Sequence, residues 1–189
     1  MSQNVSHWWW TEILTLKEIK NINKFVLKNY DGIEERKYKA SFSDGSLKKN
    51  TETLIIRYGK IKKYVAPLIE ECINRNRTSF GYDIYPISDR VLCDYNMYDS
   101  KSNGSFDWHV DLSPDLYEDV KLTVIINLSE KVYEGGDFYI QGSNDILVPE
   151  LNQVGSMIMF PSFHRHKVAP VTKGLRKNLT FFLTGPNFK

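Results

Sequence analysis

A mainly β fold with flanking α-helices is what this chain predicts, on two observations. From about Tyr85 onward the apolar residues fall into short runs rich in Val, Ile, Phe and Thr, separated by turn residues. Before that point apolar residues recur at spacings near 3.6, and the segments that carry this period read as helices. At 189 residues the chain is long enough for one domain with a sizeable buried core. No repeat, low-complexity tract or linker divides it. A single domain is therefore expected, with N-terminal helical support over about 1–85 and a β core over about 86–189.

The elements follow in order. Trp8, Trp9 and Trp10 stand together just before a helix start and are expected to pack onto the sheet. Thr15-Leu-Lys-Glu18 has the form of a capping box, in which a hydroxyl and a carboxylate three residues apart satisfy free helix amides. Ile19, Ile22, Phe25, Val26 and Tyr30 continue it on one face, so a helix is expected from Leu16 to Asn29. The stretch from Asp31 to Asn50 is polar and reads as loop or weak hairpin. A second helix is expected from about Lys63 to Arg75. Proline is tolerated in a first helical turn, so Pro67 moves the expected start toward Ala66. The candidate strands are Val91 to Tyr98, Val120 to Leu128, Asp137 to Gln141, Gly155 to Pro161, His166 to Val171 and Asn178 to Thr184. Turn signals at Lys101–Gly104, Glu134–Gly136, Gly142–Asn144 and Lys173–Gly174 lie between them, a pattern that favours a sandwich, barrel or jelly roll.

Composition excludes several function classes. A net charge of +2, with Lys and Arg scattered among Asp and Glu, does not argue for a nucleic-acid or acidic-membrane partner. Cys72 and Cys93 lack metal-type spacing and read as reduced, buried thiols. No signal-like segment is visible, and no apolar run approaches the ~20 residues that span a bilayer. Cytoplasm is the default expectation.

The chemistry concentrates at His109-Val-Asp111 and the later histidines. Residues two apart on a strand share a face, so His109 and Asp111 can reach one ion. A third ligand from an adjacent strand would be His164 or His166, and spacing alone does not choose between them. His7 has no partner at useful spacing. Two imidazoles and one carboxylate hold a ferrous ion on one face and leave the other open for a cosubstrate and oxygen. Arg176, ten residues beyond His166, would supply a carboxylate anchor for that cosubstrate. These residues point to an oxygenase. A zinc hydrolase is a rival, but no Glu sits beside a ligand histidine to serve as general base. A metal-free jelly-roll binding module would show damage in the triad or the Arg, and none is present.

From Tyr95 to Pro186 the sequence resembles the iron(II)- and 2-oxoglutarate-dependent oxygenases of the prolyl 4-hydroxylase-like group. Asp107-Trp-His-Val-Asp111 looks like the motif with the first two ligands. Lys121 to Ser129 followed by Glu134-Gly-Gly-Asp-Phe138 resembles the next strand pair and its Gly-Gly turn. Val154-Gly-Ser156 with Met159-Phe-Pro161 looks like the strand leading to the distal histidine. His166-Lys-Val-Ala-Pro-Val-Thr-Lys-Gly-Leu-Arg176 resembles the segment that ends on the basic residue holding 2-oxoglutarate. That last run selects His166 over His164.

The resemblance implies a double-stranded β-helix (jelly roll) in which His109, Asp111 and His166 bind iron(II). It further implies 2-oxoglutarate and O2 as cosubstrates, with the far carboxylate of 2-oxoglutarate against Arg176. By family position Asn127 would hydrogen-bond the same carboxylate and Tyr98 would contact the cosubstrate, with Tyr95 as the alternative to Tyr98. The implied substrate is a peptide or protein, proline being the first expectation for the hydroxylated residue.

Overall fold

The computed structural model describes residues 9–34, 49–111 and 118–188. His7, Trp8 and most of the stretch read as loop or weak hairpin lie outside the described residues, as does the side chain of Trp9. The described chain runs β1 (Trp9–Glu12), α1 (Leu16–Asn29), β2 (Gly32–Glu34), β3 (Lys49–Asn50), β4 (Glu52–Arg57) and α2 (Tyr58–Arg75). It continues through β5 (Leu92–Asp99), β6 (Ser105–His109), β7 (Glu118–Asn127), β8 (Glu134–Gly135), β9 (Phe138–Gln141) and β10 (Asp145–Leu147). The last strands are β11 (Ser156–Pro161), β12 (His166–Val168), β13 (Val171–Lys173) and β14 (Leu175–Pro186).

The strands form two stacked antiparallel sheets. The larger has the order β1-β11-β7-β14-β5-β4-β2 and the smaller β10-β9-β12-β6-β3, with β13 and β8 as a separate pair. Period-2 alternation assigns the two faces of the larger sheet. Leu122, Val124 and Ile126 of β7, with Leu179, Phe181 and Leu183 of β14, point toward the helices. There they meet Ile19, Ile22 and Val26 of α1 and Ile61, Val65 and Leu68 of α2. Ile125 and Tyr98 point the other way, onto Phe138, Ile140, Phe160 and Val168. The result is one helical layer over two sheets, with the inter-sheet space lined by the alternate residues of the same strands. No helix among the described residues is long and apolar enough to cross a membrane.

The first helix has the expected bounds and the expected cap. Thr15 accepts from the Glu18 amide, and Glu18 accepts from the Thr15 amide at 2.8 Å. The second helix is longer than the sequence predicts. It begins at Tyr58 and carries Pro67 in its interior, where a proline costs about 3 kcal/mol. Ile61, Val65, Leu68, Ile69 and Cys72 form a buried stripe on both sides of the proline, and their burial offsets the lost amide bond. Both cysteines are free and buried, as expected, and desolvation pushes the Cys72 thiol up to about 12.

The N-terminal segment is more than helical support, because β1, β2 and β4 extend the larger sheet. β1 pairs with β11, so Trp9 and Trp10 belong to an edge strand, and Trp10 is 39% exposed rather than packed. β1 is joined to the sheet at Gly155, whose carbonyl accepts from the amides of Ile13 and Leu14. Gly155 has φ +80°, and a Cβ there would collide with the Leu14 carbonyl. Gly155→Ala is expected to lower the melting midpoint by roughly 5 °C. An unchanged midpoint in a thermal melt would show that the β1 junction carries no such constraint.

Candidate metal centre and cosubstrate cavity

β6 and β12 lie side by side in the smaller sheet, and their register sets His109 directly opposite His166. Asp111 is not on the strand, contrary to the alternation argument that paired it with His109. β6 ends at His109, and Asp111 is placed by its own amide, which donates to the Ser162 carbonyl at 3.1 Å. The His109, Asp111 and His166 side chains nevertheless converge, with one ligand atom from each lying within 4.8 Å of the others. Among the described residues this is the group of His, Cys, Asp and Glu side chains able to hold one metal ion.

Local bonds orient each member. His109 Nδ1 lies 2.7 Å from the Asp107 carbonyl and His166 Nδ1 lies 2.9 Å from the His164 carbonyl. A carbonyl can only accept, so Nδ1 carries the proton in each ring and Nε2 presents a lone pair. Both Nε2 atoms face Asp111, at 3.6 Å from its Oδ1 and 3.4 Å from its Oδ2. Thr123 of β7 donates to Asp111 Oδ2 at 2.6 Å and holds the carboxylate in this pose. Phe106 stacks on the His109 ring at 3.5 Å, while Phe138 and Phe160 pack around His166. Three acceptor groups turned toward one another on an apolar floor are the arrangement a cation would complete.

The triad opens on a cavity between the two sheets. Its wall on the larger sheet comes from alternate residues of neighbouring strands: Asp94, Asn96 and Tyr98 of β5, and Asn178, Thr180 and Phe182 of β14. Arg176 precedes Asn178 on the same face of β14 and pairs in register with Tyr98. Its side chain is fully buried, and its Nε, Nη1 and Nη2 atoms have no hydrogen-bond partner. The guanidinium lies 5.3 Å from the Tyr98 ring centroid. Burial pushes the Tyr98 hydroxyl up to about 12, against the opposing influence of Arg176 and a hydrogen bond from Asn178. Tyr98 is therefore a neutral phenol at physiological pH, able to donate. An unpaired buried cation beside a phenolic donor fits an anionic group such as a carboxylate. The donor sets of triad and pocket thus match a metal ion and an acidic cosubstrate respectively.

The remaining sequence candidates separate cleanly. His164 lies outside the cluster, and its ring packs on Phe163 at 5.0 Å. Tyr95 faces the helices instead of the cavity and donates to Asn23 Oδ1 at 2.9 Å. Asn127 is not part of the cavity wall. Its carboxamide nitrogen donates to the Leu151 carbonyl at 2.8 Å and its oxygen accepts from the Ser129 amide at 2.9 Å, so it secures the end of β7. The wall position opposite β5 belongs to Asn178. Asn96, Thr123 and Asn178 were not singled out from sequence, although polar residues at period 2, Asp94-x-Asn96-x-Tyr98 and Arg176-x-Asn178-x-Thr180, signal a polar strand face.

Comparisons with known proteins agree with this geometry. The model of the 2OG-Fe(II) oxygenase superfamily matches residues 93–184. A PKHD-type hydroxylase of Xylella fastidiosa (strain M12) is 33% identical over 97 residues, covering 43% of this chain and 39% of the relative. The match thus spans well under half of that curated relative's length. The crystal structure of a Pseudomonas putida prolyl-4-hydroxylase superposes with a TM-score of 0.69 at 14% identity, covering 97% of this chain and 95% of the other. The viral collagen prolyl hydroxylase of Paramecium Bursaria Chlorella virus-1, in its 2-oxoglutarate complex, gives a TM-score of 0.69 at 13% identity, covering 98% and 99%. The family model covers β5 to β14, and the structural likeness extends the shared jelly-roll fold to the N-terminal strands and helices. On these matches, residues 93–184 carry the sequence pattern of the 2OG-Fe(II) oxygenase superfamily, and the chain has a prolyl 4-hydroxylase-like fold.

Proposed function

We propose that this chain is an iron(II)- and 2-oxoglutarate-dependent dioxygenase that hydroxylates an unactivated C–H bond of a peptidyl residue such as proline, releasing succinate and carbon dioxide. The observation that carries this reading is the fully buried Arg176 guanidinium without a partner, set in the same inter-sheet space as a His-Asp-His triad of mutually facing acceptors. In this proposal His109, Asp111 and His166 are the iron ligands, and Arg176 with Tyr98 receives the far carboxylate of 2-oxoglutarate. Residues 1–189 act as one oxygenase domain in which β1, β2 and β4 widen the catalytic sheet. The peptidyl substrate is drawn from the prolyl hydroxylases that share the fold, one of them a collagen prolyl hydroxylase.

When bound, iron with 2-oxoglutarate and dioxygen supplies the oxidising power that a C–H bond requires; the protein supplies position and a dry environment. Asp111 contributes the one anionic ligand, which leaves net positive charge to attract an acidic cosubstrate. Thr123 fixes the carboxylate rotamer, and the two backbone carbonyls fix the imidazole tautomers. Phe106 and Phe138 of the smaller sheet and Phe160 of the larger sheet pack against the two imidazoles and shield the triad. Thr180 and Phe182 line the same cavity as the triad.

An anaerobic titration of metal-stripped protein with ferrous iron and then 2-oxoglutarate tests this reading. A weak visible charge-transfer band is expected, together with succinate formation once oxygen is admitted. His166→Ala is expected to lose the band while His164→Ala keeps it. Absence of the band in the unaltered protein would demote the chain to a jelly-roll binding module. Loss in His164→Ala alone would reassign the third ligand.

A further inference from the structure

β6 and β12 do not pair evenly. His166 lies opposite His109 and Val168 opposite Phe106, so Asp107 and Trp108 together face the single residue Lys167. Two residues against one make a β-bulge, a device that re-aims side chains beside functional sites. Its effect is visible in the rings. Residues three apart on a regular strand point to opposite faces. His109 and Phe106 nevertheless both line the cavity, with their rings stacked at 3.5 Å and 11°. A bulge also leaves backbone groups without ladder partners. Here two such groups belong to one peptide unit, the bond between Asp107 and Trp108. Its N–H donates to Asp107 Oδ1 at 2.7 Å, and its carbonyl lies 2.7 Å from His109 Nδ1.

We propose that Asp107 is a positioning residue for the metal centre. By holding the Trp108 amide, its carboxylate fixes the orientation of the bulge peptide and, through the carbonyl of that peptide, the tautomer of His109. The inference rests on the ligand reading above, in which His109 meets the metal through Nε2. The C=O and N–H of a planar trans peptide point in opposite directions, so this unit turns only one of them toward the imidazole. With the N–H held on the carboxylate, the imidazole meets an acceptor. Nδ1 then keeps its proton and Nε2 its lone pair. With the peptide turned over, the ring meets a donor instead. Nδ1 has to accept, the proton moves to Nε2, and the atom that faces Asp111 no longer binds a cation. Asp107 itself is exposed, lies outside the cavity lining and is not one of the three converging ligands. His166 has no such dependence, because its Nδ1 rests on the His164 carbonyl.

Imidazole nitrogen NMR spectra of the metal-free protein, at a mildly alkaline pH where histidines are neutral, read the tautomers directly. In the unaltered protein His109 and His166 are both expected to be protonated at Nδ1. In Asp107→Ala, His109 is expected to shift toward the Nε2-protonated form while His166 stays as it was. Calorimetric titration with manganese is expected to give a dissociation constant raised roughly 10-fold, the effect of losing a group that supports a ligand histidine. Asp107→Asn removes the charge but keeps an oxygen to accept from the Trp108 amide, and it is expected to match the parent in both measurements. Asp107→Val, a better strand former without the acceptor, is expected to behave as Asp107→Ala and decides the matter if that variant does not fold.

An unchanged His109 tautomer in the Ala and Val variants overturns the inference. An Asp107→Asn variant as impaired as Asp107→Ala also overturns it, because the effect would then be one of surface charge. So does a shift of His166 together with His109, the mark of a general loosening of the sheet. Failure of the unaltered protein to bind manganese overturns the ligand reading instead, and the tautomer spectra still decide what Asp107 does to His109.

Discussion

Asp111→Ala is expected to abolish 2-oxoglutarate turnover and to weaken iron binding by far more than the 10- to 100-fold typical of losing a supporting residue around a metal. The carboxylate is the single anion facing two imidazole lone pairs, at 3.6 and 3.4 Å. Without it the site keeps only two of its three ligands and loses the one negative charge that would offset the ion's own. The fold is expected to survive. Asp111 is placed by its backbone amide on the Ser162 carbonyl, and its side chain bonds Thr123, which is otherwise held within β7. Asp111→Asn separates charge from shape, because the amide retains an acceptor for Thr123 while losing the anion. It is expected to fold equally well and to lose most of its iron. Iron content by metal analysis and succinate release from 2-oxoglutarate check both variants, with circular dichroism as the control for folding. Turnover at the unaltered rate in either variant would remove Asp111 from the ligand set and with it the oxygenase assignment.

The site was legible in sequence because its chemistry is carried by residue types at fixed offsets. His109-x-Asp111, His166 and Arg176 keep their spacing whatever the loops do, and the ten-residue interval from His166 to Arg176 is spanned by β12, β13 and the start of β14. The distinction between His164 and His166 came only from the surrounding words. In space it follows from register, because His166 pairs with His109 and its ring is held through the His164 carbonyl.

Elements that depend on remote partners were less visible. β4 is a continuous apolar run, Leu54 to Ile56, that alternation does not mark as a strand, and β1 exists because β11 offers it an edge. The start of α2 was misread because Pro67 carries a local signal that tertiary burial overrides. Asn127 was assigned to the cosubstrate by its place along the chain. The strand pairing instead sets it beside Asn178, at a point where the Leu151 carbonyl and the Ser129 amide claim its carboxamide. The residue that does line the cavity, Asn178, carries no motif and emerges only once β14 is in register with β5.

Replacing Arg176 by Leu is expected to move stability and function in opposite directions. The guanidinium is fully buried, and none of its nitrogens has a hydrogen-bond partner within the protein. A buried ion without compensating bonds opposes folding, and exchanging it for an apolar residue of similar bulk is commonly neutral or stabilising. Gly136 lies against the Arg176 side chain, where a Cβ would come within 3.0 Å of Cδ, so the aliphatic stem is already closely packed and leucine can fill that part of the space. The ligand-free variant is thus expected to melt at or above the temperature of the parent protein. Its affinity for 2-oxoglutarate is expected to fall about 100-fold or more, since a carboxylate left facing an apolar wall loses a charged, bidentate partner. Iron affinity is expected to change little, because Arg176 is not among the three converging ligands. Melting curves with and without saturating 2-oxoglutarate make the test direct: the cosubstrate stabilises the parent by mass action and leaves the variant where it was. A variant that melts lower and still gains stability from 2-oxoglutarate would show that Arg176 is a structural residue whose charge is satisfied by the protein itself, and the anion-binding role would have to pass to a residue that lines the cavity.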